Sequence, residues 1–467
     1  MTRHLKKTSE EKFLYSVMRK TLILLVLIVG SIAAFPQVQF ESLSFEQALL
    51  TAGQTSKMLF VQFESPSCDQ CNEVADKAFE DANLGNQLKQ GFICIKIDAK
   101  HPDRNNIANL YDKENFFGTL FIAADGSLIH NFPKTTTRAD AYSKEIDQAL
   151  TKAGEGLRLN LLEKQRNQDK NNIFLTEQLL LLRKSLYLDT DTLLDEYISI
   201  LPPDSLQSPA ILSFIAQQAP ILGGKSDVLL RKDYTLFLKI WNTLPIPVRI
   251  GINNRIIYKS MRQAVRGKNL EYAYKVALFA RNVHNENVQA GIKAYDASML
   301  SYYRQTSDTM NYLARVVNYY DKYYMTVSVD SIKRRDSLNQ AALLAKQEGE
   351  KTMRGDSVVY KKTISYALTT QVFARELNNG AWMVYTWTND PLYLKKALQW
   401  AARANEFFDS PEAADCYARL LYKTGNKPEA IQWESRAIDL RKKRGYKTAE
   451  FEKVLAEMEK GKSPKDI

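Results

Sequence analysis

Short apolar runs alternate with amphipathic stretches in the first third of the chain. KMLFVQF at 57–63 predicts a buried strand, and the nearly continuous apolar run GFICIKID at 91–98 predicts a second, central one. In GTLFIAADGSLIHNF at 118–132, Asp125-Gly126 predicts a turn between two further strands. Helical apolar spacing occurs in three segments, at 68–88, 104–112 and 135–153. In the last one, Thr137 with Asp140 three residues later predicts the start of the helix. This order of elements predicts an α/β domain.

Strand signals end at about residue 154, and amphipathic helical segments continue from there to the end of the chain. An all-α region is therefore predicted for 154–467. Within it, the charged segment 328–362 has few core residues and predicts a helix or loop that projects between helical hairpins. A solvated face is the simpler interpretation of this segment, and contact with a partner is the alternative.

Alanine pairs seven residues apart recur in the helical region. The three pairs are Ala273 and Ala280, Ala397 and Ala404, and Ala430 and Ala437. The last pair, with Gly425 ahead of it in the segment 413–440, resembles a tetratricopeptide repeat. Small residues at these positions allow two helices to pack closely. The resemblance implies a superhelical domain with a concave surface that binds peptides or proteins.

The aromatic segment NYYDKYY at 318–324 has two interpretations. Its tyrosines line the concave surface in one of them and pack between helical hairpins in the other. Packing is the favoured interpretation, because aromatic side chains are large and apolar.

The first 34 residues have the pattern of a secretory signal peptide. A basic start precedes the apolar run TLILLVLIVGSIAAF, and Ser31-Ile32-Ala33 offers a cleavage site. The run is short for a membrane span, which needs about 20 apolar residues. We therefore expect export, to the periplasm of a Gram-negative bacterium. The alternative is that the segment stays uncleaved and tethers the protein to the membrane.

Length, charge and cysteine content narrow the function further. The chain has 467 residues, enough for two or three domains, and a net charge of +11. Despite this charge, nucleic acid is not expected as a partner of an exported protein. Four cysteines are too few for a disulfide scaffold, so the close pair Cys68 and Cys71 stands out.

The surroundings of this pair resemble the thioredoxin-like family over residues 40–152. The resemblance rests on three segments: VQFESPSCDQC, ICIKID and GTLFIAADGSLI. Together with the N-terminal pattern and the repeat-like helical segments, this resemblance predicts three parts of the chain: a signal peptide at 1–34, a thioredoxin-like domain at 35–153 and a tetratricopeptide-like domain at 154–467.

The resemblance implies disulfide chemistry at a helix N-terminus. The partial positive charge and free N–H groups there stabilise a thiolate. Cys68 would be the nucleophile that attacks a client disulfide, and Cys71 would resolve the mixed disulfide. Gly118 and Thr119 would form the loop that contacts the client. No cofactor is implied.

Three positions depart from the family pattern. Gly118 stands where the family has a cis-proline, Gln62 replaces a buried acid, and Ser67 replaces an aromatic residue. Asp69, between the cysteines, should oppose thiolate formation at Cys68. If the loop has the family's shape, Gly118→Pro should preserve or raise exchange activity and lower any affinity for metal, because proline restricts the unfolded chain.

These departures leave two other interpretations of the pair, a static disulfide and a metal site. A zinc site would need two more ligands. Cys94 and Cys416 are expected to be buried apolar residues, and no role is assigned to His101 and His130, which are expected in loops or at the surface.

The leading hypothesis is therefore an exported protein that exchanges disulfides with client proteins, while its helical region holds a client or partner. A different class of function is the alternative. In that case the protein is a non-enzymatic interaction scaffold with a degenerate thioredoxin-like domain.

Overall fold

The computed structural model describes residues 37–463 except 66–68, 112–116, 157, 285, 347–349, 355–356 and 362–367. The predicted signal peptide and Cys68 lie outside these residues. The chain divides into two compact units, Met1–Pro202 and Pro203–Ile467. Every helix of the described residues is too short or too polar to span a lipid bilayer.

The described part of the first unit contains four strands and eight helices. In chain order they are α1 (Phe45–Thr55), β1 (Met58–Phe63), α2 (Asp69–Phe79), α3 (Ala82–Gly91), β2 (Phe92–Ile97), α4 (Arg104–Leu110), β3 (Gly118–Ile122), β4 (Leu128–Phe132), α5 (Ala139–Gly154), α6 (Leu159–Gln168), α7 (Ile173–Ser185) and α8 (Asp191–Ile200). The predicted strands and the turn at Asp125-Gly126 are confirmed.

The strands form one mixed sheet in the order β2-β1-β3-β4. β1 pairs with β2 in parallel and with β3 antiparallel, and β3 and β4 are antiparallel. Side chains alternate between the two faces, so Phe60 and Phe121 enter a core with α2, α3 and α5, whereas Val61 and Ile95 enter a core on the opposite face. The sheet is therefore buried on both faces.

Two predicted helix starts differ from the structure. The segment 68–88, predicted as one helix, is two helices, because Asp81 caps a new one by accepting a hydrogen bond of 2.9 Å from the N–H of Leu84. Helix α5 begins at Ala139, after Arg138, instead of at Thr137.

Helices α6 and α7 extend the first unit past residue 153, the predicted end of the thioredoxin-like domain. Leu159 and Leu179 lie in the same core as Val61 of β1. The Asn131 side chain on β4 donates a hydrogen bond of 3.0 Å to the carbonyl of Leu186. The start of the helical region is therefore packed against the sheet, and the compact unit ends at Pro202.

The second unit is predominantly helical. After a short 3₁₀ turn, its helices are α9 (Pro209–Gln217), α10 (Lys225–Arg231), α11 (Tyr234–Thr243), α12 (Ile246–Arg266), α13 (Leu270–Asn282), α14 (Val288–Gln305), α15 (Thr309–Tyr320), α16 (Val329–Lys346), α17 (Thr369–Trp387), α18 (Pro391–Phe407), α19 (Pro411–Lys423), α20 (Lys427–Arg444) and α21 (Ala449–Glu459). A two-stranded antiparallel hairpin, β5 (Glu350–Arg354) and β6 (Ser357–Lys361), follows α16. The α/β domain followed by an all-α region is therefore confirmed as the fold class, apart from this hairpin.

Helix pairs in this unit pack through small side chains. All six alanines of the seven-residue pairs are buried, each on the second helix of the pairs α12–α13, α17–α18 and α19–α20. The packing role of these alanines is confirmed. That the hairpins are tetratricopeptide repeats stays a prediction.

The aromatic segment at 318–324 lies mainly in the core, as the favoured interpretation held. Tyr319, Tyr320 and Tyr324 are buried. Asp321 accepts hydrogen bonds from the side chains of Lys396 and Trp400, at 2.6 and 2.9 Å. These contacts tie the segment to α18.

The described residues of the charged segment 328–362 form helix α16 and the hairpin β5–β6. A helix is one of the two predicted forms, whereas the hairpin was not predicted. Helix α16 is largely exposed, but Asp336 is buried. Its carboxylate accepts hydrogen bonds from the N–H groups of Thr369 and Thr370, at 2.9 and 2.8 Å. Asp336 therefore caps the start of α17 from a neighbouring helix.

Candidate thiol–disulfide site

The candidate site lies at the edge of the sheet where the parallel strands β1 and β2 end. Their last residues, Phe63 and Ile97, are partners in the register. Helix α2 begins at Asp69, six residues after Phe63. The carboxyl ends of parallel strands open onto one edge, so the connection from β1 to α2 is presented there. Cys68, within this connection, lies outside the described residues.

Cys71 is the third residue of α2 and is half-buried. It takes part in a disulfide bond, whereas Cys94 and Cys416 are free. The first turn of a helix has N–H groups without helical partners and a partial positive charge, which favour a thiolate once the disulfide is reduced. The prediction that the second cysteine lies on a helix is confirmed, because Cys71 is within α2.

Asn72 holds the connection from β1 against α2. Its side-chain oxygen accepts a hydrogen bond of 2.7 Å from the N–H of Ser65, and its side-chain nitrogen donates one of 3.0 Å to the carbonyl of Ser65. Ser65 is buried. These two bonds close the segment that carries the cysteines. Sequence reasoning missed Asn72, although its position directly after Cys71 was the available signal.

Gln62 and Thr119 form a neutral buried contact beneath the site. They are partners in the register of β1 and β3, and the Thr119 hydroxyl donates a hydrogen bond of 2.7 Å to Oε1 of Gln62. The Gln62 side-chain nitrogen donates to the carbonyl of Phe63 at 3.1 Å. Both side-chain polar atoms of Gln62 are therefore satisfied, and neither Gln62 nor Thr119 titrates.

Gly118 has a backbone conformation that proline cannot adopt. Its φ is +110°, and a Cβ at this position would lie 2.3 Å from the carbonyl oxygen of Phe132 and 2.9 Å from the N–H of Lys134. Proline fixes φ near −65°. The premise that this loop has the shape of the family's proline loop is therefore wrong. The effect of Gly118→Pro on exchange activity stays a prediction.

Gly118 and Thr119 are both buried. The Thr119 side chain points to Gln62 within the sheet and is fully covered. A contact between these two residues and a client stays a prediction.

Lys96 forms an ionic cluster next to the candidate site. Its amine lies 3.2 Å from Glu64, which precedes the clamped Ser65, and 2.6 Å from Asp76 on α2. Burial lowers the pKa of Lys96, but the hydrogen bond and charge of Asp76, with the charge of Glu64, outweigh it and raise the pKa. Lys96 on β2 therefore keeps its positive charge beside Asp76 of α2. A lysine within the apolar run FICIKID was the missed signal.

The remaining cysteines are buried, as expected. Cys94 and Cys416 are 4% and 1% exposed, and burial raises the pKa of the Cys94 thiol to about 12. A thiol with this pKa is scarcely ionised at neutral pH and is a poor nucleophile. Neither thiol therefore competes with Cys71 in exchange chemistry.

The expectation that His130 lies in a loop or at the surface is wrong. It lies on β4 and is buried, whereas His101 lies in a loop as expected. Its ring nitrogens lie 2.6 Å from a Glu145 oxygen and 2.9 Å from the Lys152 amine. Burial lowers the pKa of His130 despite the hydrogen bond with Glu145. The strand register, which sequence alone does not fix, places this residue inside.

The described side chains give no support for a metal centre. Within the part of the chain that the structure describes, no group of three or more His, Cys, Asp or Glu side chains could hold a metal ion.

Comparison with known proteins agrees with the fold of the first unit. Residues 39–124 match a family model described as thioredoxin-like. No curated protein matches the chain. The matched residues include β1, β2, β3 and the helix that carries Cys71. The chain therefore contains a thioredoxin-like domain near its N-terminus, followed by a largely helical region.

Proposed function

We propose that the protein exchanges disulfides with client proteins through Cys68 and Cys71. The observation that supports this most is the disulfide at Cys71, in the first turn of α2 of a thioredoxin-like domain. We assign Cys68 as its partner, because the other two cysteines are free and buried. The buried thiols Cys94 and Cys416 leave this pair as the reactive one.

The proposed reaction conserves electrons between two dithiol–disulfide couples. The Cys68 thiolate attacks a client disulfide, forming a mixed disulfide and releasing one client thiolate. The Cys71 thiolate then attacks Cys68, which releases the second client thiolate and leaves the pair oxidised. The reverse sequence transfers the disulfide to a reduced client.

The helical region and the N-terminal segment complete the proposal. Stacked helical hairpins expose long surfaces suited to proteins, so the second unit would hold the client or a partner. The basic and apolar pattern of residues 1–34 supports export to the periplasm of a Gram-negative bacterium. Retention of that segment would instead tether the protein to the membrane.

Trapping tests the proposed reaction. Cys71→Ala removes the resolving thiol, so mixed disulfides through Cys68 should accumulate and appear on non-reducing gels. The matched control is Cys416→Ala, which removes a buried free thiol and should trap nothing. A folded and exported Cys71→Ala variant without any mixed disulfide would argue against exchange.

A non-enzymatic scaffold is the second candidate. Two observations favour it: the neutral Gln62 at the place of the family's acid, and the positive φ of Gly118 at the place of its proline. If the protein is a scaffold, the double variant Cys68→Ala, Cys71→Ala should retain partner binding and biological activity. Loss of activity in a folded double variant would exclude this candidate.

A further inference from the structure

One side chain of α2 closes the connection from β1 to α2 into a loop. Asn72 lies seven residues after Ser65, and its amide accepts a hydrogen bond of 2.7 Å from the Ser65 N–H and donates one of 3.0 Å to the Ser65 carbonyl. These two bonds are called the Ser65–Asn72 clamp below. Because one planar amide binds both backbone groups of a single residue, the clamp fixes the orientation of Ser65 as well as its position. Cys68 and Cys71 both lie between the two clamped residues in the sequence.

The surroundings of the clamp favour its closed form. Ser65 is 8% exposed and Asn72 is half-buried, so water competes weakly for their hydrogen bonds. The residue before Ser65 is also tied to α2, because the Lys96 amine lies 3.2 Å from Glu64 and 2.6 Å from Asp76. The beginning of the loop that contains the cysteines is therefore held to α2 by two separate sets of contacts.

The clamp has its largest effect when the cysteines are reduced. In the oxidised protein the disulfide at Cys71 itself restricts the connection. In the dithiol form the clamp keeps the ends of the loop together, which raises the effective concentration of one thiol at the other. Because the dithiol is already ordered, less conformational entropy is lost when the disulfide forms. The clamp should therefore favour the disulfide over the dithiol.

We propose that Asn72 is a positioning residue that sets the reduction potential of the Cys68–Cys71 pair. The equilibrium with glutathione is balanced: the two thiols of the pair give two protons and two electrons to oxidised glutathione, which becomes two glutathione thiols. The clamp shifts this equilibrium towards the protein disulfide. The inference deepens the proposed exchange function and rests on its assignment of Cys68 as the partner of Cys71.

Redox titration of the full chain with glutathione tests this proposal. Asn72→Ala removes both bonds to Ser65 and should lower the equilibrium constant for disulfide formation about tenfold, which raises the reduction potential by about 30 mV. Alkylation and mass spectrometry count the Cys68 and Cys71 thiols, and circular dichroism confirms folding. In a folded variant, a constant within about twofold of the native one, or a larger constant, would overturn the proposal.

A milder variant covers the case in which Asn72→Ala does not fold. Asn72→Gln keeps the amide but places it one methylene group further from the backbone, so it cannot form both bonds in the native geometry. It should lower the equilibrium constant in the same direction by a smaller factor. An unchanged constant in folded Asn72→Gln, with Asn72→Ala unfolded, would overturn the proposal.

Asn172→Ala is the matched control for general destabilisation. The Asn172 side chain also makes two hydrogen bonds, accepting one of 3.0 Å from the Leu175 N–H and donating one of 3.2 Å to Asp169. It caps α7, whose Leu179 packs on the opposite face of the sheet from α2. The variant should destabilise the first unit and leave the constant unchanged. A shift as large as that of Asn72→Ala would show that loss of stability, and not the clamp, changes the constant.

The same titration separates this inference from the proposed function. The role of Asn72 is measured by the difference between native protein and variant, whereas the exchange function is tested by the native value itself. A native potential too negative for exchange, with the tenfold shift in Asn72→Ala, would contradict the exchange function and support the role of Asn72. A native potential in the range of exchange proteins, with no shift in Asn72→Ala, would overturn this inference alone.

Discussion

The Thr119 hydroxyl donates a buried hydrogen bond of 2.7 Å to Gln62, across strands β1 and β3. The resemblance to the thioredoxin-like family assigns position 62 to a buried acid, and the contact observed there is a neutral pair. Proton transfer from a resolving thiol therefore has no acceptor at position 62. If exchange takes place, the proton must leave by another route, such as solvent at the exposed edge of the site.

Removing the Thr119 hydroxyl should destabilise the first unit. Thr119→Val keeps the branched shape but leaves Oε1 of Gln62 buried without its donor, at a cost of about 1–3 kcal/mol in the free energy of unfolding. Thr119→Ser keeps the hydroxyl and should cost less. Urea denaturation of both variants measures the difference. Equal stability of the two would show that this hydrogen bond contributes little.

Substitution of Gly118 should destabilise the first unit, although glycine has no side chain to lose. Gly118→Ala places a Cβ against the backbone at Phe132, and Gly118→Pro cannot reach φ of +110°. Each should lower the free energy of unfolding by about 2 kcal/mol or more. Gly154→Ala is the control, because a Cβ there meets no atom within 4 Å. Native stability of Gly118→Pro by urea denaturation would contradict the positive φ.

Lys96→Met should weaken the packing of α2 against β2. The variant leaves Glu64 and Asp76 without the cation between them, and because all three are partly exposed we expect a loss of about 1 kcal/mol. Lys77→Met, which breaks an exposed pair of 3.8 Å with Glu80, should cost almost nothing.

The raised pKa of Lys96 sets the pH range of this effect. A lysine with a raised pKa contributes its full stability below the ordinary value of about 10.4, and loses it as the pH rises through the folded-state value. Unfolding measurements between pH 6 and 9 should therefore show a constant contribution from its titration. A contribution that is lost before pH 8 is reached, as the pH is raised from 6, would contradict a retained cation.

The sequence predicted the strands of the sheet and the extent of the helical region better than it predicted the backbone and side-chain contacts of the site. Apolar runs such as KMLFVQF identify strands because both faces of the sheet are buried. The φ of Gly118 and the burial of His130 depend instead on strand register and on the neighbouring backbone at Phe132. Asn72 and Lys96 act through partners that only the folded chain brings close. Such contacts leave no periodic signal in the sequence.

Glu434 should make the second unit less stable as the pH rises. It is fully buried, and burial together with the charge of Asp415 raises its pKa to about 9. The folded state thus retains the proton, and stability falls between the ordinary glutamate value of about 4.3 and pH 9.

Glu434→Gln removes this ionisation. The variant should gain stability relative to the native chain as the pH rises, by about 1 kcal/mol or more at pH 9. Glu459→Gln, at an exposed position, should leave the pH profile unchanged. Thermal unfolding from pH 5 to 9 measures both. A destabilised Glu434→Gln variant at pH 9 would show that the native carboxylate is accommodated in the fold.

The reduction potential of the cysteine pair tests the proposed exchange function most directly. The full-length protein is equilibrated with glutathione or dithiothreitol buffers, and the Cys68 and Cys71 thiols are counted by alkylation and mass spectrometry. A thiol–disulfide exchange protein should give a value between about −270 and −120 mV, the range of proteins that transfer disulfides. A value below about −300 mV would identify a structural disulfide and would contradict the proposed function.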